Sequence, residues 1–145
     1  MNTFESLSEA ERQEFLKFPV YISLLAANRD GETDEKEIKA ASAFDQMKTY
    51  TCNPLLGLFY EKAQATFTKS ITELDHELPK GKKARDIAIT AALAELEKLL
   101  LKFDKIYAAT MHKSMKSFTE HVSAAHWNVL EAFVFPVPIE GLTNE

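Results

Sequence analysis

One cysteine, four glycines and five prolines are all that this 145-residue chain holds of the residues that staple or break a backbone. A single cysteine, Cys52, excludes an intramolecular disulfide and fits a reducing compartment. The glycines, at positions 31, 57, 81 and 141, leave long uninterrupted stretches between them. With Ala, Leu, Glu and Lys abundant, those stretches are read as helices. Positive charge is also short. Seventeen Lys and Arg face 22 Asp and Glu, a net charge of −5, whereas nucleic-acid binding rests on cations that neutralise phosphates. No apolar run approaches the ~20 residues of a membrane span. Residues 1–6 lack the basic start and apolar stretch of a signal peptide. The expectation is a cytoplasmic protein that binds neither nucleic acid nor membrane.

What is present suffices for one self-sufficient core. A chain of this length hides roughly two thirds of its unfolded surface on folding, so neither metal nor disulfide is needed for stability alone. Ser8 followed by Glu11 forms a capping-box pattern, which starts a short helix running to about Lys17. Pro19 disfavours helical geometry at Phe18 and suits the first turn of a second helix. In that helix Val20, Leu24 and Ala27 recur at helical spacing beside Tyr21, Leu25 and Asn28, a wide apolar face that predicts a central element. A third helix is predicted from about Asp34 to Tyr50, with Ala40, Phe44, Met47 and Thr51 inward and Lys36, Lys39, Asp45 and Lys48 outward.

Asn53 as a cap and Pro54 as a first helical residue open the fourth. Its face is the clearest in the chain: Leu56, Phe59, Ala63, Phe67, Ile71, Leu74 and Leu78. Pro79-Lys80-Gly81 ends it. A fifth helix starts near Lys82 with Ile89, Leu93, Leu96, Leu100 and Phe103. Beyond it Ala108, Met111, Met115, Phe118, Val122, Ala125 and Val129 form a seam of steps of three and four. No proline decides whether residues 82–130 form two helices or three, and Asp104 is a weak cap between them. Prolines at 136 and 138 make residues 133–145 an extended tail, which either folds back on the bundle or presents an apolar patch to a partner. The predicted architecture is all-α: one bundle of five to seven helices over residues 1–132, with that tail.

Chemistry is hinted at in one place, residues 28–37, where carboxylates crowd around Gly31 between two helices. With Gly31 at the sixth place of a calcium-binding EF-hand loop, Asn28, Asp30, Asp34 and Glu37 fall at the third, fifth, ninth and twelfth places, all oxygen donors. Ala26 falls at the first place, where the rule wants Asp, which argues against a strict EF-hand. An irregular oxygen site for Ca²⁺ or another divalent cation, with Glu32 available as a further ligand, is consistent with the pattern. Capping accounts for the same residues differently. Acids in a first helical turn oppose the helix dipole, and Asp-Gly is an ordinary turn.

Residues 19–43, an apolar helix ending in Ala26-Ala27, an Asp30-Gly31 loop and Glu37 on the next helix, resemble the TerB-like (tellurite-resistance) helical domains. The resemblance implies an all-helical fold, a loop proposed to hold a divalent cation, and a stress-related setting. The second acidic loop usual in that family has no counterpart, since residues 82–132 contain no glycine.

Other constellations carry less. Glu73 and His76 have the Glu-x-x-His spacing of di-iron bundles, but the second copy is missing. At about 100° per residue, His112, His121 and His126 share no helix face, and no nucleophile motif surrounds them. Lys80, Lys82, Lys83 and Arg85 form a basic knot read as solvated surface. The chain is therefore expected not to be an enzyme. The two functional readings are a divalent-cation module using Asn28, Asp30, Glu32, Asp34 and Glu37, and a helical scaffold that binds an unknown protein or itself.

Overall fold

Ser8 and Glu11 cap the first helix as their spacing predicts. The Glu11 amide donates to Ser8 Oγ at 3.2 Å and the Ser8 amide to the Glu11 carboxylate at 3.0 Å. That helix, α1 (Glu9–Phe15), is followed in this computed structural model by α2 (Phe18–Asp30), α3 (Glu35–Tyr50), α4 (Gly57–Glu77), α5 (Lys82–Lys98) and α6 (Lys105–Val122). Short 3-10 turns cover Phe4–Ser6 and Leu99–Lys102. The structure describes residues 2–30 and 35–122. The tail at 133–145, His126 and the Ala125–Val129 end of the last seam lie outside the described residues. Among the described residues there is no strand. None of their helices is long and apolar enough to cross a membrane.

The wide apolar face read in residues 18–27 makes α2 the hub. Phe18, Val20, Ile22, Ser23, Leu24, Leu25 and Ala26 are all buried, and α2 packs on α3, α4, α5 and α6. A helix buried around most of its circumference belongs at the centre of a bundle. The α4 face from Leu56 to Leu74 is buried throughout, as are the α5 residues Ile89, Leu93 and Leu96 and the α6 seam from Ala108 to Val122. The 82–122 region is two helices joined by the 3-10 turn, and Asp104 occupies the position before α6.

At the base of the bundle Phe15 stacks with four rings, those of Phe4, Phe18, Phe59 and Phe103, at centroid separations of 6.3, 5.5, 5.2 and 5.5 Å. This cluster ties the N-terminal 3-10 turn and α1 to α2, α4 and the end of the 3-10 turn that leads to α6.

Two sequence expectations are corrected. The inward face of α3 is Lys39, Ala43 and Met47, with Tyr50 half-buried, whereas Phe44 remains 38% exposed. The stripe is rotated by one residue because α3 has neighbours on two sides. Met47 and Tyr50 turn to the centre, while Phe44 leans on α4 through Phe67, 6.4 Å away. Lys39 lies on this inward face and is only 7% exposed. Asn53 does cap, its Oδ1 accepting from the Leu55 and Leu56 amides at 2.8 and 2.9 Å. It caps a lead-in turn, however, so Pro54 precedes the helix and α4 begins at Gly57.

Gly57 is there for want of space. A Cβ at this position would lie 2.4 Å from the carbonyl oxygen of Thr51, a backbone atom that cannot swing aside. Gly57→Ala is expected to destabilise the fold by about 1–3 kcal/mol, the usual cost of overpacking, as read by denaturant titration. Unchanged stability would mean that the α3–α4 connection yields.

Two hydroxyl pairs hold α6 in place. Tyr60 pairs with Ser114 at 2.5 Å and Tyr50 with Ser117 at 2.8 Å. Burial drives the Tyr60 phenol far above its ordinary value, more than the Ser114 hydrogen bond lowers it. Burial also pushes Tyr107 up to about 12, against a hydrogen bond with the Phe4 backbone that lowers it. Raised phenol values favour the folded state below the ordinary value of 10.0, and that advantage is lost as the pH climbs through the folded ones. Stability is therefore expected to fall steeply above pH 10, and a Tyr60→Phe variant should show a shallower alkaline limb in melts taken across that range.

Candidate functional site

The end of α2, the start of α3, the end of α4 and the start of α5 lie together, and the first two flank the acidic stretch of the sequence. Four helix termini share this end of the bundle, so charges far apart in sequence meet there. Arg29, near the end of α2, grips Asp86 of α5 with two nitrogens, Nε to Oδ2 at 2.8 Å and Nη2 to Oδ1 at 3.2 Å. Asn28 donates its side-chain amide to the carbonyl of Lys82 at 2.8 Å. On the far side of the loop, Lys36 in the first turn of α3 donates to Asp75 of α4 at 2.7 Å. Asp75 is shared. Its other oxygen takes Arg85 Nη1 at 2.7 Å, and its backbone carbonyl accepts from Arg85 Nη2 and Lys80 Nζ at 2.8 and 3.0 Å. Arg85 also donates to the Pro79 carbonyl at 2.9 Å, so the α4–α5 break is closed around one guanidinium.

Burial works to raise the Asp75 carboxyl, but hydrogen bonds from Lys36 and Arg85 outweigh it and hold the group below its ordinary range. Arg85 is not the solvated surface cation its sequence neighbourhood suggests: its side chain is 11% exposed. A planar fork that reaches a carboxylate and two carbonyls at once is work for arginine and not for lysine.

Of the five predicted cation ligands, two have described side chains. Asn28 is half-buried at the end of α2, and Glu37 is exposed in the first turn of α3. The Asn28 bond to Lys82 uses its NH₂ group and leaves Oδ1, the atom a cation would take, outside that bond. Asp30 is the last residue of α2; its side chain, and residues Glu32 and Asp34, lie outside the described residues. Among the described residues no group of three His, Cys, Asp or Glu side chains is arranged to hold a metal. Glu73 and His76 both face solvent, and His121 donates through Nδ1 to the Ser117 carbonyl at 2.8 Å. His112 is half-buried on α6.

Sequence reasoning missed Asp75, Arg85 and Asp86 as the partners that fix the loop. Their contacts span up to 57 residues, and no local pattern announces them. Glu97 was also missed; it is fully buried near the end of α5 although its neighbours Glu95 and Lys98 form an exposed pair. Over the described residues, the fold and this junction define the class as an all-α bundle with a charged plate where the ends of α2, α3, α4 and α5 meet. Compared with protein-family models, curated proteins and solved structures, the chain matches none.

Proposed function

We propose that this chain is a non-catalytic helical domain of TerB-like type that binds a divalent cation, Ca²⁺ or another, through residues 28–37, in a stress-related setting. The observation that carries the reading is the direction of Lys36. The cation at the α3 end of the loop donates to Asp75 on α4, while Asp30, Glu32, Asp34 and Glu37 cluster in sequence beside it. Arg29 and Asn28 pin the other end of the loop to α5. A loop with both ends held loses less conformational entropy when it closes on an ion, and hard cations accept irregular carboxylate sets.

Calorimetric titration of chelator-treated protein with Ca²⁺, Mg²⁺ and Mn²⁺ tests this, with Asp30→Ala as the control. Saturable heat in the wild type that vanishes in the variant is expected; no heat at millimolar cation would sink the reading. The second reading, a scaffold whose loop only caps α3, draws on one observation. An apolar groove lies open between α3 and α4, with the aromatic ring of Phe44 partly bare on its wall.

A further inference from the structure

Two capping patterns stand back to back ahead of α1. In the 3-10 turn Phe4–Ser6, the Thr3 amide donates to Ser6 Oγ at 3.1 Å and the Ser6 amide to the Thr3 carbonyl at 2.9 Å. Ser8 and Glu11 close the start of α1 in the same reciprocal way. Leu7 alone separates the two, in extended backbone at φ −70° and ψ 155°. Each unit caps itself, so neither needs the other to satisfy its first amides.

Residues 2–7 therefore lie on the base of the bundle as a bound peptide would. Their two apolar side chains stand three apart and are both buried, Phe4 at 2% and Leu7 at 5% exposure. The Phe4 ring meets Phe59 edge to face at 5.4 Å and Phe15 at 6.3 Å. The rest of the seat reads backbone. The Asp104 amide donates to the Asn2 carbonyl at 2.9 Å, and the Tyr107 phenol is hydrogen-bonded to the Phe4 backbone. Arg12 Nη1 donates to the carbonyls of Glu5 and Leu7 at 3.2 and 2.8 Å, at the end of the turn where carbonyls lack partners of their own. The side chains of Asn2 and Glu5 touch none of these groups, and both residues are exposed.

Main-chain bonds for affinity and two apolar places for specificity are the division of labour found where proteins bind short peptides. The seat's walls come from α1, α4, α6 and the residue before α6, all outside the turn they hold.

We propose that this seat is a peptide-binding site for a turn carrying Phe and Leu three residues apart, held closed in cis by residues 2–7. A partner chain that presents such a turn takes the seat when residues 2–7 swing away at Leu7, with both caps intact. The cis turn lowers the partner's apparent affinity by the fraction of time that it leaves the seat open. Exchange also touches α6, because the Asp104 amide and the Tyr107 phenol change partners with the turn. The proposal is independent of the cation reading, whose residues lie at the opposite end of the bundle.

The test uses the full-length chain and a fluorescent peptide copying residues 2–8, followed by anisotropy. The Phe4→Ala chain, whose own turn is weakened, is expected to bind the peptide saturably and about tenfold or more tighter than wild type does, since less cis occupancy opposes it. The same peptide carrying Phe4→Ala should bind neither chain. Absence of saturable binding to the variant at millimolar peptide would overturn the proposal, as would equal binding to both chains or equal binding of both peptides. Hydrogen exchange on the wild-type chain supplies a second readout that needs no variant. The Asp104 amide, whose acceptor is Asn2, is expected to exchange about tenfold or more faster than the Leu93 amide in the core, through an opening confined to the turn. Exchange of the two amides at one common rate of opening would show that residues 2–7 leave only when the whole bundle unfolds, and would refute the proposal.

Discussion

Phe15→Ala is expected to remove about 3–5 kcal/mol of stability, the range found for truncating a fully buried phenylalanine. The ring is completely buried and touches Phe4, Phe18, Phe59 and Phe103, which come from four separate segments. Removing it forfeits the burial of a large apolar side chain and leaves a hole bounded by rigid rings, which cannot collapse as aliphatic chains can. Two of its contacts are edge-on, at interplanar angles of 89° and 81°, the arrangement that brings a ring's positive edge to a neighbour's negative face. Since domains of this size are held by about 5–15 kcal/mol in total, the variant is expected to be partly unfolded at moderate urea. Equilibrium denaturation reads the loss directly. A cost under 1 kcal/mol would show that the cluster is not packed as described.

Asp75→Ala is the second substitution with a large expected effect, about 1–3 kcal/mol, because it strips partners from two cations at once. Arg85 is nearly buried and keeps only its carbonyl acceptors, and Lys36 loses the anchor that holds the start of α3 to α4. The pH dependence has a definite sign. The carboxyl is held below its ordinary value of 3.8, so its contribution is complete above that value and is lost as the pH falls through the lower folded one. Wild-type protein should therefore lose stability below about pH 3.8 more steeply than the variant does. The same substitution frees the Lys36 ammonium beside the loop acids, so on the cation reading it also weakens cation binding. Asp75→Asn, which keeps one acceptor for Arg85, should recover part of the stability. Wild-type-like acid limbs in both variants would contradict the role given to this carboxylate.

Much of the fold was legible in the sequence wherever one face of a helix meets one core. The α4 row from Leu56 to Leu74 and the α6 row from Ala108 to Val122 lie buried as their spacing predicts. Local capping was legible too, since Ser8 and Glu11 need only each other. The reading failed on α3, a helix wedged between neighbours, where apolar period alone cannot say which of two adjacent stripes turns inward. Phe44 looked like core and proved half-bare; Lys39 looked like surface and proved buried.

The charged plate was illegible for a different reason. Arg29 with Asp86 and Lys36 with Asp75 are meetings of helix ends, fixed by how four helices stack and not by any spacing along the chain. Within the acidic loop, the sequence offers Asn28, Asp30, Glu32, Asp34 and Glu37 as oxygen donors, while geometry is on hand only for Asn28 and Glu37.

The most direct test of the cation reading is a ¹H–¹⁵N NMR titration of the intact, chelator-treated chain with Ca²⁺. The account predicts saturable shifts centred on the amides of residues 28–37, complete at one ion per chain, with the α4 and α5 amides near Asp75 and Asp86 following to a lesser degree. A loop spectrum unmoved at millimolar Ca²⁺, and equally at millimolar Mg²⁺ and Mn²⁺, would contradict it and leave residues 28–37 as the cap of α3.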